Sequence, residues 1–244
     1  MEEKTIEKMK GMHLNGMSQS YHQDIETGVI KEYTITEYLS ILTDAEWEYR
    51  QNRKIKNLKK NAKFRVVAHP LNIDYTIDRQ LDKGVMQRLL GLHFITKSEN
   101  IIFTGLTGTG KSYLAQAIGI KACEMLNKVY YYTISDLSNA IQEVTIKGSY
   151  PRWIKKMQHC PLLIIDDFGL TGIDVPTRKA LMDIIDYKYG KSSMIIVSQI
   201  PVSKWHKLIG EDTIADAIMD RIIHNTHRIK LKGESIRKQH KVTG

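Results

Sequence analysis

The eight residues Gly105-Leu-Thr-Gly-Thr-Gly110-Lys111-Ser112 constrain the fold more tightly than any other stretch of the chain. They satisfy the spacing G-x-x-x-x-G-K-[ST] in full. The apolar run Asn100-Ile-Ile-Phe-Thr104 before them reads as a buried strand, and Tyr113 to Leu126 after them reads as a helix. A strand, a glycine-rich turn and a helix start, in that order, make an anion cradle. Main-chain N–H groups of the turn face inward, and the helix adds the positive end of its dipole. Gly105, Gly108 and Gly110 allow close approach and positive φ, with Thr107, Thr109 and Tyr113 filling out the phosphate-facing stretch. Lys111 is placed to reach the β- and γ-phosphates, and the Ser112 hydroxyl to ligate Mg2+. The segment implies a nucleoside triphosphate, ATP, with Mg2+. A glycine-rich turn that merely precedes a helix is the bland alternative, and the flanking strand and helix argue against it.

The run Pro161-Leu-Leu-Ile-Ile-Asp166-Asp167 looks like the second motif of such ATPases, a buried strand that delivers an acid to the metal. Asp166 is then the Mg2+ carboxylate, directly or through water. Asp167 stands where many of these enzymes carry a Glu that polarises the attacking water. Aspartate is one methylene shorter, so either the water sits closer or hydrolysis is slow. The next apolar run ends Val197-Ser198-Gln199-Ile200-Pro201, where ATPases of the AAA+ class place a polar sensor of the γ-phosphate, usually Asn. Gln199 is the first candidate and Ser198 the second, against a plain strand-end cap. Residues Ile214 to Asn225 resemble the helix that carries an arginine finger, with Arg221 directed at a neighbour's nucleotide. A surface Asp–Arg pair is the competing reading. His206, His224 and His227 lack partner ligands at metal spacing, so structural zinc is not expected.

Strand-like runs at Ile101–Thr104, Val129–Thr133, Leu162–Ile165, Met194–Ser198 and, more weakly, Thr226–Lys230 alternate with helix-length segments. That alternation predicts βαβ units: a parallel sheet flanked by helices, the α/β fold of a P-loop NTPase. Before residue 69 no strand signal is present. Ile6, Met9, Met12 and Leu14 recur at near-helical spacing up to an expected break at Asn15-Gly16. Thr34-Ile-Thr-Glu37 has the form of a capping box opening a helix that runs past residue 55, with Tyr38, Leu39, Leu42, Ala45 and Tyr49 as its apolar face. The chain therefore reads as a small all-α domain over residues 1–68 and an ATPase domain over 69–244. Pro70 and the polar stretch Asn72 to Asp78 read as the linker.

Charge is distributed unevenly. The sequence holds 36 Lys and Arg against 27 Asp and Glu, a net +9, which suits a polyanionic partner. Between Arg50 and Arg65 fall eight basic residues and no acid. A basic helix can be no more than a solvated face, but solvated faces usually mix signs to gain i,i+4 pairs. Arg50, Arg53, Lys54, Lys56, Lys59, Lys60 and Lys63 are therefore candidate DNA contacts. Cys123 and Cys160 have no C-x-x-C spacing and read as reduced core thiols. No apolar run reaches membrane-spanning length and no leader precedes the first helix, so a cytoplasmic protein is expected.

Taken together, these motifs resemble the IstB-like ATP-binding proteins that assist transposition of bacterial insertion sequences. Beyond the phosphate loop, the resemblance rests on Leu162 to Leu170, Ser198-Gln-Ile-Pro-Val-Ser-Lys-Trp-His206, Thr213 to Asn225, and the tail Arg228 to Arg237 with its Lys-Gly-Glu-Ser run. Related AAA+ branches include helicase loaders similar to DnaC and DnaI, and the initiator DnaA. The resemblance implies a homo-oligomer with ATP at subunit boundaries, assembled on duplex DNA, which it bends and presents to a partner transposase. It also implies that the helical insertion Ser135–Lys156, with Lys147, Arg152, Lys155 and Lys156, touches DNA. A helicase loader would share every residue named so far and differ in its partner. The shorter Asp167 leaves room for a nucleotide-switched DNA-binding module that does not hydrolyse ATP.

Overall fold

A computed structural model describes residues 2–236; Arg237, the last residue of the tail motif, lies outside them. The chain divides after Asn57 into two compact units.

The first unit is helical: α1 (Glu2–Gly11), α2 (Asn15–Thr27) and the larger part of α3 (Ile35–Ala62). Asn15-Gly16 does not break a helix, as the sequence suggests; it begins α2, and the interruption falls at residues 12–14. Gly16 is there because α2 crosses α3 closely. A Cβ on Gly16 would lie 2.4 Å from the Ala45 carbonyl oxygen and 2.7 Å from Glu46 Cα. The Gly16 amide donates to the buried Glu46 carboxylate at 2.7 Å, as does that of Met17 at 3.2 Å. Burial alone would raise the Glu46 pKa, but hydrogen bonds from Arg50, Met17 and Gly16 outweigh it and hold the carboxyl below its ordinary range. The capping box forms as the sequence requires: Glu37 accepts from the Thr34 amide and Thr34 Oγ1 from the Glu37 amide. Of the expected apolar face, Leu42 is buried whereas Leu39 is exposed.

The second unit begins with the last turn of α3. Leu58, Ala62, Phe64 and Ala68 join its apolar core, so these residues, which the sequence assigns to the first domain, pack with the second. Two short helices follow, α4 (Lys83–Leu90) and α5 (His93–Thr96). Then come β1 (Asn100–Thr104), α6 (Lys111–Glu124), β2 (Val129–Thr133), α7 (Ile134–Ile146) and α8 (Tyr150–Gln158). The chain continues through β3 (Leu162–Asp166), α9 (Val175–Lys188), β4 (Ser193–Ser198), α10 (Trp205–Ile209), α11 (Asp212–Ile223) and β5 (Thr226–Lys230). All five expected strands are present within a residue of their predicted ends.

The strands form one parallel sheet in the order β2-β3-β4-β1-β5. Central strands are apolar on both faces, as a sheet covered by helices on each side demands. Ile101 and Phe103 of β1 join one core with Leu162, Ile164, Ile195 and Val197, under α6. Ile102 joins the opposite core with Leu163, Ile165, Met194 and Ile196, under α7, α9 and α11. Helix α6 is buried along most of its length, and Gly119 packs closely against its neighbours: a Cβ there would meet Phe64 at 2.7 Å and Ile164 at 2.8 Å. Both cysteines are free and buried. Among the described residues no helix is long and apolar enough to cross a membrane.

Candidate nucleotide site

The carboxyl ends of β1, β3 and β4 open onto a cavity of about 720 Å³, the place where parallel α/β sheets bind ligands. Gly108, Gly110, Lys111, Ser112 and Tyr113 form its floor, and Asp166, Asp167, Ser198 and Gln199 one wall. The backbone explains the glycines. Gly108 has φ 82° and Gly110 φ 89°, both left-handed, immediately before α6 turns its free amides toward the cavity. Gly105 and Thr109 are not among the cavity's lining residues. A Cβ on Gly105 would lie 2.3 Å from the Leu231 carbonyl oxygen, and Thr109 Oγ1 donates to the Leu106 carbonyl at 2.9 Å.

Lys111 is buried and its Nζ donates to the Leu106 carbonyl at 2.7 Å. Burial lowers its pKa, opposed by the charges of Asp166 and Asp167. Ser112 Oγ donates to Asp166 Oδ1 at 3.1 Å, which brings the two residues read as metal ligands together. Asp166 is itself 1% exposed and accepts two more bonds, from the Asp167 amide at 2.8 Å and from Tyr131 Oη at 2.7 Å. Burial raises the Tyr131 pKa strongly and the Asp166 charge adds to it, so the phenol stays a proton donor to the carboxylate. Asp167 adopts φ 56°, an uncommon conformation for a residue with a Cβ, at the turn that leaves β3.

The two sensor candidates are separated by their partners. Ser198 Oγ is buried, donates to the Phe168 carbonyl at 2.6 Å and accepts from the Ile200 amide, which ties the end of β4 to the turn after β3. Gln199 reaches the phosphate loop itself, where its Oε1 accepts from Thr107 Oγ1 at 2.5 Å. Arg221 is not brought to this cavity. It donates to the Ala217 carbonyl, pairs with Asp186 Oδ1 at 2.9 Å, and lines a separate cavity of about 420 Å³. His206 and His227 each approach a carboxylate, Asp216 and Glu99, and His224 packs edge-on to Tyr189.

The basic candidates divide too. Arg53, Lys54, Lys56, Lys60 and Lys63 are exposed. Arg50 bonds Glu46 at 2.6 Å, and Lys59 bonds Glu124 at 2.8 Å. Lys155 and Lys156 are exposed on α8, with the Lys156 ammonium 5.8 Å from the Tyr130 ring. Several cavity residues carry no sequence signal. Arg65, Gln116 and Tyr131 line it, as do Asn72, Asp74, Ile77 and Arg79 from the expected linker and its end. The Gln116 carboxamide accepts from the Arg65 and Val66 amides, and Tyr113 Oη both donates to the His69 carbonyl and accepts from its amide at 3.2 Å.

A parallel sheet of this strand order, with a complete phosphate loop and a metal-type acid at the end of β3, defines an AAA+ P-loop nucleotide-binding protein. A family model of IstB-like ATP binding proteins matches residues 7–244, and the chain belongs to that family. It is 38% identical over 234 residues to the insertion sequence ATP-binding protein y4pL of Sinorhizobium fredii, covering 96% of each chain. It is 30% identical over 241 residues to the ATP-binding protein of insertion sequence IS5376 of Geobacillus stearothermophilus, covering 99% of this chain and 96% of that one. Among solved structures, replication initiator DnaA bound to AMPPCP and single-stranded DNA shares the fold at TM-score 0.60 and 19% identity. That match covers 74% of this chain and only 56% of the DnaA chain. The DnaC helicase loader shares it at TM-score 0.53 and 18% identity, over 68% of this chain and 97% of that one.

Proposed function

We propose that the chain is an ATP-dependent DNA-binding regulator that oligomerises on duplex DNA, remodels it, and recruits or stimulates a transposase. One observation carries the reading: a single cavity gathers Gly108, Gly110, Lys111 and Ser112 from the phosphate loop with Asp166, Asp167 and Gln199 from the two neighbouring strand ends. The family and its insertion-sequence relatives supply the setting.

In this reading the amides of residues 107–113 and Lys111 hold the triphosphate of ATP. Ser112 and Asp166 would hold Mg2+, which supplies charge neutralisation at the phosphates. Their mutual hydrogen bond, and the freedom of Ser112 Oγ to rotate, suit that donor set. Asp167 orients the attacking water. Gln199, bonded to Thr107, is the sensor that links loop occupancy to the end of β4. Arg221 acts on a neighbouring copy's nucleotide, so assembly requires it to leave Asp186. That ion pair is partly exposed and cheap to break. Arg53, Lys54, Lys56, Lys60 and Lys63, with Lys155 and Lys156, contact duplex phosphates; Arg50 and Lys59 join them only by exchanging an intramolecular partner.

Steady-state phosphate release with and without duplex DNA tests the reading. DNA-stimulated turnover that Arg221→Ala removes is the expected result. ATP-dependent DNA binding with no turnover at all would replace it with a nucleotide switch that does not hydrolyse.

A further inference from the structure

Arg79 is the one buried cation of the cavity that the motifs do not explain. It is 3% exposed, yet it enters no ion pair among the described residues. Its Nη1 donates to the Thr109 carbonyl at 3.3 Å and its Nη2 to the Asp74 carbonyl at 2.7 Å, while Nε is buried without a partner. Burying a guanidinium on two neutral carbonyls is costly, and an arginine cannot escape the cost by losing its proton.

Its surroundings deepen the problem. The guanidinium lies against the last loop glycine: a Cβ on Gly110 would be 2.4 Å from Nη1. Gly110 caps α6, so the guanidinium sits at the positive end of a helix, beside the residue that precedes Lys111. Lys111 has Asp166 and Asp167 to offset it, whereas Arg79 feels chiefly the exposed Asp74. Both buried cations line the same cavity, and Arg79 does so beside a helix N-terminus. A polyanion in the loop would offset this charge.

Resting on the nucleotide reading above, we propose that Arg79 is a nucleotide-binding residue that supplies a second fixed positive charge to the phosphates of ATP from the segment preceding α4. The same side chain joins this segment to the phosphate loop through Thr109, and the Lys232 amide donates to the Arg79 carbonyl at 3.0 Å. Arg79 thereby ties together the three pieces of chain around the loop: residues 74–79, 108–110 and 231–236.

The test is titration of the full-length protein with a fluorescent ATP analogue and with the corresponding ADP analogue, at two ionic strengths. Arg79→Gln, which keeps neutral donors but removes the charge, is expected to weaken ATP binding about tenfold and to reduce its salt dependence. The loss for ADP is expected to be smaller. Arg79→Lys, which keeps the charge but not the fork that spans the Thr109 and Asp74 carbonyls, should lose less affinity than Arg79→Gln. Lys111→Ala serves as the control. If Arg79→Gln binds ATP as the parent does while Lys111→Ala loses binding, Arg79 is only a strut and the proposal falls, with the nucleotide site standing. If Lys111→Ala binds as well as the parent, the nucleotide reading itself falls. Should Arg79→Gln lack a cooperative unfolding transition, Arg79→Lys decides: a tenfold loss there, with the charge retained, overturns the proposal.

Discussion

Replacing Tyr131 with Phe removes one oxygen atom and isolates a single interaction. The hydroxyl donates at 2.7 Å to Oδ2 of an Asp166 that is almost wholly buried. The ring is unchanged and still packs in the core with Phe64, its centroid 6.2 Å away. Hydrogen bonds to charged groups contribute about 1.5–3 kcal/mol, and stranding a buried acceptor costs its desolvation. The two other donors to Asp166, Ser112 and the Asp167 amide, both reach Oδ1, so the loss falls on Oδ2 alone. A loss of about 2 kcal/mol follows, equivalent to a fall in Tm of about 4–8 °C for a unit of this size. The assay is thermal or urea unfolding of the parent, Tyr131→Phe, Asp166→Ala and the double variant. The hydroxyl has nothing to donate to once the carboxylate is gone, so the Tyr131→Phe cost should nearly vanish in the Asp166→Ala background. An equal cost in both backgrounds, or none in either, refutes the assignment.

Other expectations follow from separate parts of the molecule. Gly16→Ala should destabilise the helical unit by about 2 kcal/mol or more, since the added methyl meets backbone rather than a mobile side chain; unchanged far-UV melting of residues 1–57 within the full chain would contradict this. The folded-state pKa of Glu46 lies below its ordinary 4.5, so its contribution to stability is complete above that value and is lost as pH falls through the lower folded value. Glu46→Gln should therefore flatten the acid limb of the stability profile below 4.5. Neutralising Lys56, Lys60 and Lys63 together should weaken duplex binding and reduce the salt slope by about 0.9 for each DNA phosphate left without its lysine. An unchanged slope would place the DNA surface elsewhere.

The strands and the phosphate loop are legible in the sequence because each is a local pattern. Short apolar runs end in polar residues, and the loop spacing is fixed by the anion it cradles. The segment from Asn72 to Asp78 reads as a linker, yet with Arg79 it proves to be cavity wall. Irregular chain carries no periodicity, and nothing in a polar, Asp-rich stretch announces that Arg79 turns inward to the Thr109 carbonyl. Tyr131 is hidden for another reason. In an apolar run of three tyrosines, which one meets Asp166 depends on strand register, with Thr133 opposite Asp166 and Tyr131 opposite Ile164. Gly16 is ambiguous because glycine marks both breaks and close helix crossings, and only the partner helix decides between them. Leu39 belongs to an apolar face by spacing alone, whereas the packing buries Leu42 and leaves Leu39 exposed.

Nucleotide-gated assembly on DNA is the central claim, and mass photometry of the full-length chain on a short duplex measures it directly. With ATP the parent should form discrete DNA-bound oligomers, and Lys111→Ala should form none at the same concentration. DNA-bound oligomers of the same mass without nucleotide, or with Lys111→Ala, would contradict it.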